Sequence, residues 1–419
     1  MQVYEIIMNE NILNKIYFFL FSLIPLSIIV GPAISLINIL LIIFFYLFQI
    51  ILSKNFQFIK KPFFHILIFI YIYLIFNSFI SIDLSSGIYR NFGFLRFILF
   101  FLAVNYFFYQ FNNSNKIFNV WLVIFSILII DSYIEFFFGK NLLGFEHNYG
   151  RRLVSFFKDE PVVGAFINGF IFILAGYLFR DINNKNIKTK IIIFISLVLF
   201  LICILLTGER SNTIKIYLGF LIFFYLCKNF SFKFKIVSSI IFLVLVSFIF
   251  YKSEFLKLRY GAQLIANLTT EEKRNEFYQN SLHVRLNKSG IEVFKNYPLF
   301  GVGNKNYRIE TCDKEKIKLN KLYLCNTHPH QIYIEFLAEH GILGTGVVLI
   351  LFLYLIFKNL KIYFESQNFL QIGCFIYLLM NFLPLLPSGS FFNDFNLTLF
   401  WLNFSLMYAC NKKTNFFQS

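Results

Sequence analysis

Charge is scarce in this chain: 14% of its 419 residues are Asp, Glu, Lys or Arg, against about 25% in an ordinary soluble domain. Acids are scarcer still, 22 against 38 bases. So poor a supply of charge excludes a soluble globule. The 58% of hydrophobic residues, with a mean hydropathy of +0.67, instead gather in long apolar runs. Such runs suit the ~20 residues that a helix needs to cross a ~30 Å hydrocarbon core. Internal repeats, low-complexity linkers and a second soluble domain are all missing. The six cysteines lack four-cysteine zinc spacing and the histidines lack metal-like spacing, so no metal is expected. Gly301-Val302-Gly303 has neither the preceding strand nor the third glycine of a nucleotide fingerprint, and reads as a tight turn. The net charge of +16 would suit nucleic acid, but most Lys and Arg lie in short connections between apolar runs. That is the positive-inside pattern of a membrane protein, so no nucleic-acid partner is expected.

What is there predicts an all-α integral membrane protein of about 12 transmembrane helices with one large loop subdomain. The spans fall at 15–30, 33–53, 62–81, 92–111, 117–138, 161–179, 190–206, 212–227, 234–251, 331–357, 368–386 and 390–410. The first run has no small-residue cleavage site followed by a soluble domain, and is read as a retained helix. Cationic connections such as Lys60-Lys61, Lys185-Lys188 and Lys412-Lys413 put both termini in the cytoplasm. The division is then 1–251 (nine spans), 252–329 (a large outside loop, too polar to span) and 330–419 (three spans and a cytoplasmic tail). Within the loop, Ser281 to Tyr297 reads as a helix that packs Leu286 and Val293 on the bundle. Cys312 and Cys325 share this loop, and an oxidising compartment there favours a disulfide between them. Cys203, Cys227, Cys374 and Cys410 read as small buried hydrophobes.

The residues with chemistry to offer lie on the outside. Pro329 suits the first turn of a helix, which predicts His330 in that turn, beside free N–H groups and the positive end of the dipole. Such a place can hold a phosphate and move a proton. Gln331, Glu335 and Glu339 follow at spacing four as one polar stripe, and His328 is near enough to tune His330 or share a contact. Arginine is costly at membrane depth, about 2.5–3.5 kcal/mol, so Arg151, Arg152, Arg210 and Arg285 at span ends need a reason. Taken alone, Arg152 also reads as part of a solvated charged loop, Arg285 as an ordinary solvated loop arginine, and Arg210 as a partner of Glu209 or of a lipid phosphate. Together with His330 they suit a doubly charged phosphate ester. Arg152 precedes Phe156-Phe157-Lys158-Asp159-Glu160-Pro161, which reads as a re-entrant loop ending in a helix start. Asp131 and Glu135, at i and i+4, are expected to pair with the arginines or to handle protons.

The stretch His-Pro-His-Gln-Ile-Tyr-Ile-Glu-Phe-Leu-Ala-Glu-His-Gly-Ile-Leu-Gly (328–344), after Tyr-Pro-Leu-Phe-Gly-Val-Gly-Asn-Lys-Asn-Tyr (297–307), resembles the signature of the bacterial O-antigen ligase and O-antigen polymerase family. These are polytopic inner-membrane glycosyltransferases with one large periplasmic loop. The hydrophobic frame is similar throughout, and the specific motif spans about 281–344. Arg285 matches the family's loop arginine and Arg210 its mid-chain arginine, while Arg152 with Phe157 and Glu160 resembles an upstream segment of polymerase-like members. Gln331 stands where the family commonly has Asn, and Glu209 where it often has a small residue. The resemblance implies transfer of a glycan from undecaprenyl diphosphate to an acceptor hydroxyl at the periplasmic face. The acceptor is lipid A-core in a ligase or a second carrier-linked glycan in a polymerase. It implies His330, Arg285 and Arg210 as catalytic and Arg151, Arg152, Glu160, His328, Gln331 and Glu335 as substrate-binding, with no cofactor. The alternative is a secondary transporter or anion permease of the inner membrane. That would place charges at mid-bilayer within a two-fold repeat, whereas the charges here cluster at the outer surface.

Overall fold

The computed structural model describes residues 10–110, 114–146, 152–158, 160–265 and 269–418. Among these the protein is helical, with one isolated antiparallel bridge between Lys140 and Glu146. Seven helices are long and apolar enough to cross a membrane, or eight if the pair Ile12–Ser22 and Ile24–Val30, bent by 43°, counts as one span. Three predicted spans emerge shorter: 161–179 becomes Val163–Phe179 with 17 residues, 390–410 becomes Asp394–Ala409 with 16 and 368–386 becomes Phe369–Asn381 with 13, while Arg210–Leu226 has 17. Phe369–Asn381 stops where Pro384 and Pro387 remove backbone donors and disfavour helix in the residues before them.

These short helices form the centre. Phe369–Asn381 packs on Val163–Phe179, and Asp394–Ala409 packs on Leu95–Gln110. The first pair approaches through small residues: Gly176 sits against the Phe369–Leu370 backbone and Gly373 against the Phe172 carbonyl. Backbones this close gain dispersion contacts that larger residues would forbid. In the second pair, Trp401 stacks on Phe97 with ring centroids 6.3 Å apart. Phe232–Lys252 is the opposite case. Only 6% of its apolar window is buried, which leaves a face for lipid.

The loop region 252–329 is folded rather than extended. It contains a π-helical turn (Lys257–Ile265) and helices Glu271–Asn280, Leu282–Asn296, Tyr307–Cys312 and Lys314–Leu319. Leu282–Asn296, which answers to the predicted stretch, buries Leu286 and Val293 and packs on helix Ile332–Phe357. Cys312 and Cys325 are disulfide-bonded, with Cα atoms 4.4 Å apart.

Helix Ile332–Phe357 begins later than the sequence predicts. Gln331 is its N-cap, and its side-chain oxygen accepts from the Ile334 N–H at 2.8 Å. That N–H would otherwise bond to the His330 carbonyl in a helix beginning at Pro329. The His330 carbonyl accepts instead from Ser388 N–H at 2.9 Å. With φ at +58°, His330 lies outside the helix, not in its first turn. The helix also breaks at Gly341, where φ is 63° and ψ −171°. Segment 298–303 fills the break. Val302 N–H bonds to Ala338 O (3.0 Å), Gly303 N–H to Glu339 O (2.9 Å), and Ile342 N–H to Pro298 O (2.8 Å). Asn77 accepts from Asn304 N–H at 2.8 Å and donates to the Glu339 carbonyl at 3.3 Å. Broken helices persist at membrane depth when freed backbone groups are re-satisfied in this way. Gly301 (φ +69°) and Gly341 are both required, since a Cβ on either would run into the other segment's backbone.

Candidate functional site

A cavity of about 960 Å³ opens where helices Val163–Phe179, Arg210–Leu226, Ile332–Phe357 and Asp394–Ala409 begin. Their N-terminal N–H groups and dipoles favour negative charge there. Of the residues expected at a site, Arg152, Arg210, Glu160, His328 and His330 line this cavity. Arg151 lies outside the described residues. Arg285, Gln331 and Glu335 are not part of the lining.

The arginines reach the cavity by different routes. Arg210 starts its helix after the Gly208 turn (φ +73°) and donates to the Gln263 carbonyl at 3.0 Å. Its neighbour Glu209 is turned elsewhere: the carboxylate accepts from Gly164 N–H (2.5 Å) and Asn212 Nδ2 (2.8 Å). Glu209 thereby caps helix Val163–Phe179, whose own N-cap, Val162, has no side-chain acceptor. Burial raises the Glu209 pKa to about 7, against the pull of these bonds and of nearby Arg152. Arg152 follows the loop held by Asp131 and Glu135. Asp131 accepts from Leu142 N–H (2.8 Å) and Ser155 Oγ (2.5 Å), and Glu135 from Val154 N–H (3.0 Å) and Ser155 N–H (2.6 Å). The two acids thus hold the backbone beside Arg152.

A third guanidinium was not among the expected residues. Arg259, on the π-helical turn, lines the cavity and donates to the Gly208 carbonyl and to Gln263 Oε1, both at 2.9 Å. Burial first, and then the like charges of Arg152 and Arg210, lower its pKa to about 10. Nothing in its spacing marks it. The only signal was one more arginine in the loop region 252–329.

Three imidazoles face the arginines. The His328 and His330 rings lie 4.0 Å apart and those of His283 and His330 5.7 Å apart, centre to centre. Burial pushes the His330 pKa below its ordinary 6.5, and pushes His283 down with help from the charge of His330. His328 falls to about 3 for the same reasons. All three are therefore neutral at pH 7, and His330, the least burdened by neighbouring charge, is the one suited to take a proton.

Arg285 shows what helical geometry does to a nearby guess. His283, Val284 and Asn287 line the cavity, while Arg285 is exposed. Two residues on from His283 is a rotation of about 200°, which carries the side chain to the far side of the helix. Gln331 caps its helix, and buried Glu335 accepts from Ser390 Oγ (2.5 Å) and Phe391 N–H (3.0 Å). Both shape the cavity from behind: Glu335 fixes the loop whose Ser388 and Ser390 form part of the wall.

Fold and site define a polytopic helical membrane protein with a cationic, imidazole-lined cavity at one end of its bundle. Residues 195–349 match the family model described as O-antigen ligase, which supports placing the chain in the O-antigen ligase and polymerase family. The match includes Arg210, Arg259, His283, His328 and His330, and ends before the loop at 385–391. No curated protein matches the chain. The family connects the protein with glycan transfer from lipid-linked substrates in surface-polysaccharide assembly.

Proposed function

We propose that this protein transfers a glycan from undecaprenyl diphosphate to an acceptor hydroxyl at the periplasmic face of the bacterial inner membrane. The acceptor is lipid A-core or a second carrier-linked glycan. The observation that carries this reading is the meeting, in one cavity, of Arg152, Arg210 and Arg259 with the neutral imidazole of His330. The guanidiniums bind the diphosphate by charge-assisted hydrogen bonds. His330 removes the proton from the acceptor oxygen as that oxygen bonds to the anomeric carbon. The bond from that carbon to the phosphate oxygen breaks, and the leaving diphosphate takes the electron pair. The charge growing on it is stabilised by the arginines, in a site where water is partly excluded. A single displacement of this kind inverts the anomeric centre.

The test is transfer by the purified protein in nanodiscs, with lipid-linked oligosaccharide and lipid A-core as substrates. His330→Ala is expected to retain donor binding and lose transfer. Normal transfer by His330→Ala removes the proposed base. Product sizes separate the two acceptors: glycan on lipid A-core marks a ligase, and lengthened carrier-linked chains mark a polymerase.

A further inference from the structure

The cavity runs on past the arginines, toward the interior of the bundle. It is closed below where three helices touch, with Gly219 seated against Phe172, Ile376 and Met380. One helical turn above that closure are Lys215, four residues before Gly219, and Asn168, four before Phe172. Both line the cavity, and they are only 5% and 4% exposed. No hydrogen bond or ion pair engages Lys215 among the described residues, and the Asn168 Oδ1 has no partner. The nearest acid along the chain, Glu209, is already engaged by Gly164 and Asn212. A lysine buried without a counter-ion destabilises the apolar bundle around it. A methionine would fill the same space without that penalty. The ammonium therefore calls for an anion that arrives with a ligand.

We propose that Lys215 and Asn168 form an anion subsite on the cavity floor, which takes the lipid-side phosphate of a lipid diphosphate. The proposal rests on the reading of the cavity as a diphosphate carrier site and adds an order to it. Lys215 is five residues beyond Arg210, about 7.5 Å along the helix axis, and its side chain leans back toward the N-terminus. The arginines at the mouth then hold the sugar-side phosphate and Lys215 the lipid-side one. The isoprenoid runs against the apolar wall of Ile28, Ile29 and Ile39. A phosphate on an acceptor glycolipid has the same chemistry, and the experiment separates the two.

The full chain in nanodiscs is titrated with undecaprenyl diphosphate, undecaprenyl monophosphate and lipid A, with bound lipid counted by native mass spectrometry. The wild type is expected to prefer the diphosphate over the monophosphate by about tenfold or more, a charge-assisted contact being the difference. Lys215→Met abolishes that preference and Lys215→Arg keeps most of it. An unchanged preference in Lys215→Met overturns the proposal. Loss confined to lipid A binding also overturns it, and gives the subsite to the acceptor. Folding is checked by thermal unfolding of the same samples, where Lys215→Met is expected to melt at or above the wild-type temperature. If it melts lower, Lys215→Arg decides: a charged, well-folded variant that has also lost the preference counts against the subsite. His330→Ala should bind diphosphate as the wild type does. Normal transfer by that variant would therefore sink the mechanism and leave the subsite standing.

Discussion

Two regions that meet in residues 328–344, the cavity wall and the brace around the helix kink, use polar groups differently. In the cavity wall, the His328 Nε2 and the Arg152 Nε are buried without protein partners among the described residues. In the brace around Gly301 and Gly341, Gln331 caps a helix, Glu335 holds the 390–391 backbone and Asn77 bridges the broken turn, while the His340 Nε2 and the Asn304 Oδ1 are buried without hydrogen-bond partners among the described residues. The wall turns Arg152 and His328 toward the cavity, and the brace uses Gln331, Glu335 and Asn77 to hold a kinked helix in place. The brace also fixes where the wall can be, because helix Leu282–Asn296, which carries His283, leads directly into the segment that fills the kink. Side chains a few residues apart in one motif thus divide into those that face the cavity, such as His328 and His330, and those that hold neighbouring backbone, such as Gln331 and Glu335.

That division predicts that brace variants lose the fold, whereas wall variants lose the reaction and keep the fold. The largest effect is expected from Gly341→Ala. Forcing a Cβ at φ +63° against the Leu299–Phe300 backbone costs about 3 kcal/mol or more. Size-exclusion chromatography of the solubilised variant should show little monodisperse protein, and a normal profile would dissolve the distinction. Next comes His330→Ala, expected to slow transfer by about 10²–10⁴-fold while thermal unfolding stays near that of the wild type. The pH profile should match. Burial holds His330 below 6.5, so the rate is flat from pH 7 to 6.5 and falls only as the pH drops through the lowered value. Stability follows the same sign. The unfolded chain takes up protons near 6.5 and folded His328 not until about 3, so acid below pH 6.5 destabilises the protein.

Arg210→Ala and Arg259→Ala each remove one charge-assisted contact to a phosphate, worth about 1.5–3 kcal/mol, or roughly 10–150-fold in kcat/KM. Unfolding should shift by no more than about 1–3 kcal/mol, the worth of the hydrogen bonds to the Gln263 and Gly208 carbonyls that these side chains also make. Cys312→Ala opens a loop of 13 residues and lowers stability by about 2–3 kcal/mol. It should sensitise the loop region to protease with little effect on the transmembrane helices. The smallest effect belongs to Arg285→Ala, within about threefold in kcat/KM, because an exposed side chain off the cavity forfeits no desolvated contact. A loss as large as that of Arg210→Ala would mean that helix Leu282–Asn296 turns when substrate binds.

The helical, membrane-spanning class was legible because hydropathy over a ~20-residue window reports directly on lipid exposure. Phe232–Lys252 illustrates this, since its apolar residues face outward. The same measure fails for Phe369–Asn381, whose apolar residues face protein. Burial imposes no minimum length, and prolines end the helix early. In the cavity, Arg152, Arg210, His328 and His330 were legible as polar groups at span ends. Arg259 and His283 were not, because convergence from separate helices leaves no spacing to read. Arg285 lies off the cavity lining for a related reason: presence on an amphipathic helix does not say which face meets the cavity.

The sequence by itself determined a greasy helical frame, a tight turn at Gly301-Val302-Gly303 and a stock of arginines and histidines at span ends, since periodicity, hydropathy and turn chemistry act over a few residues. The tertiary structure alone decided which of those side chains share a cavity and which are taken up by neighbouring backbone. That choice depends on helix rotation and on contacts between residues hundreds of positions apart, as between Asn77 and Glu339.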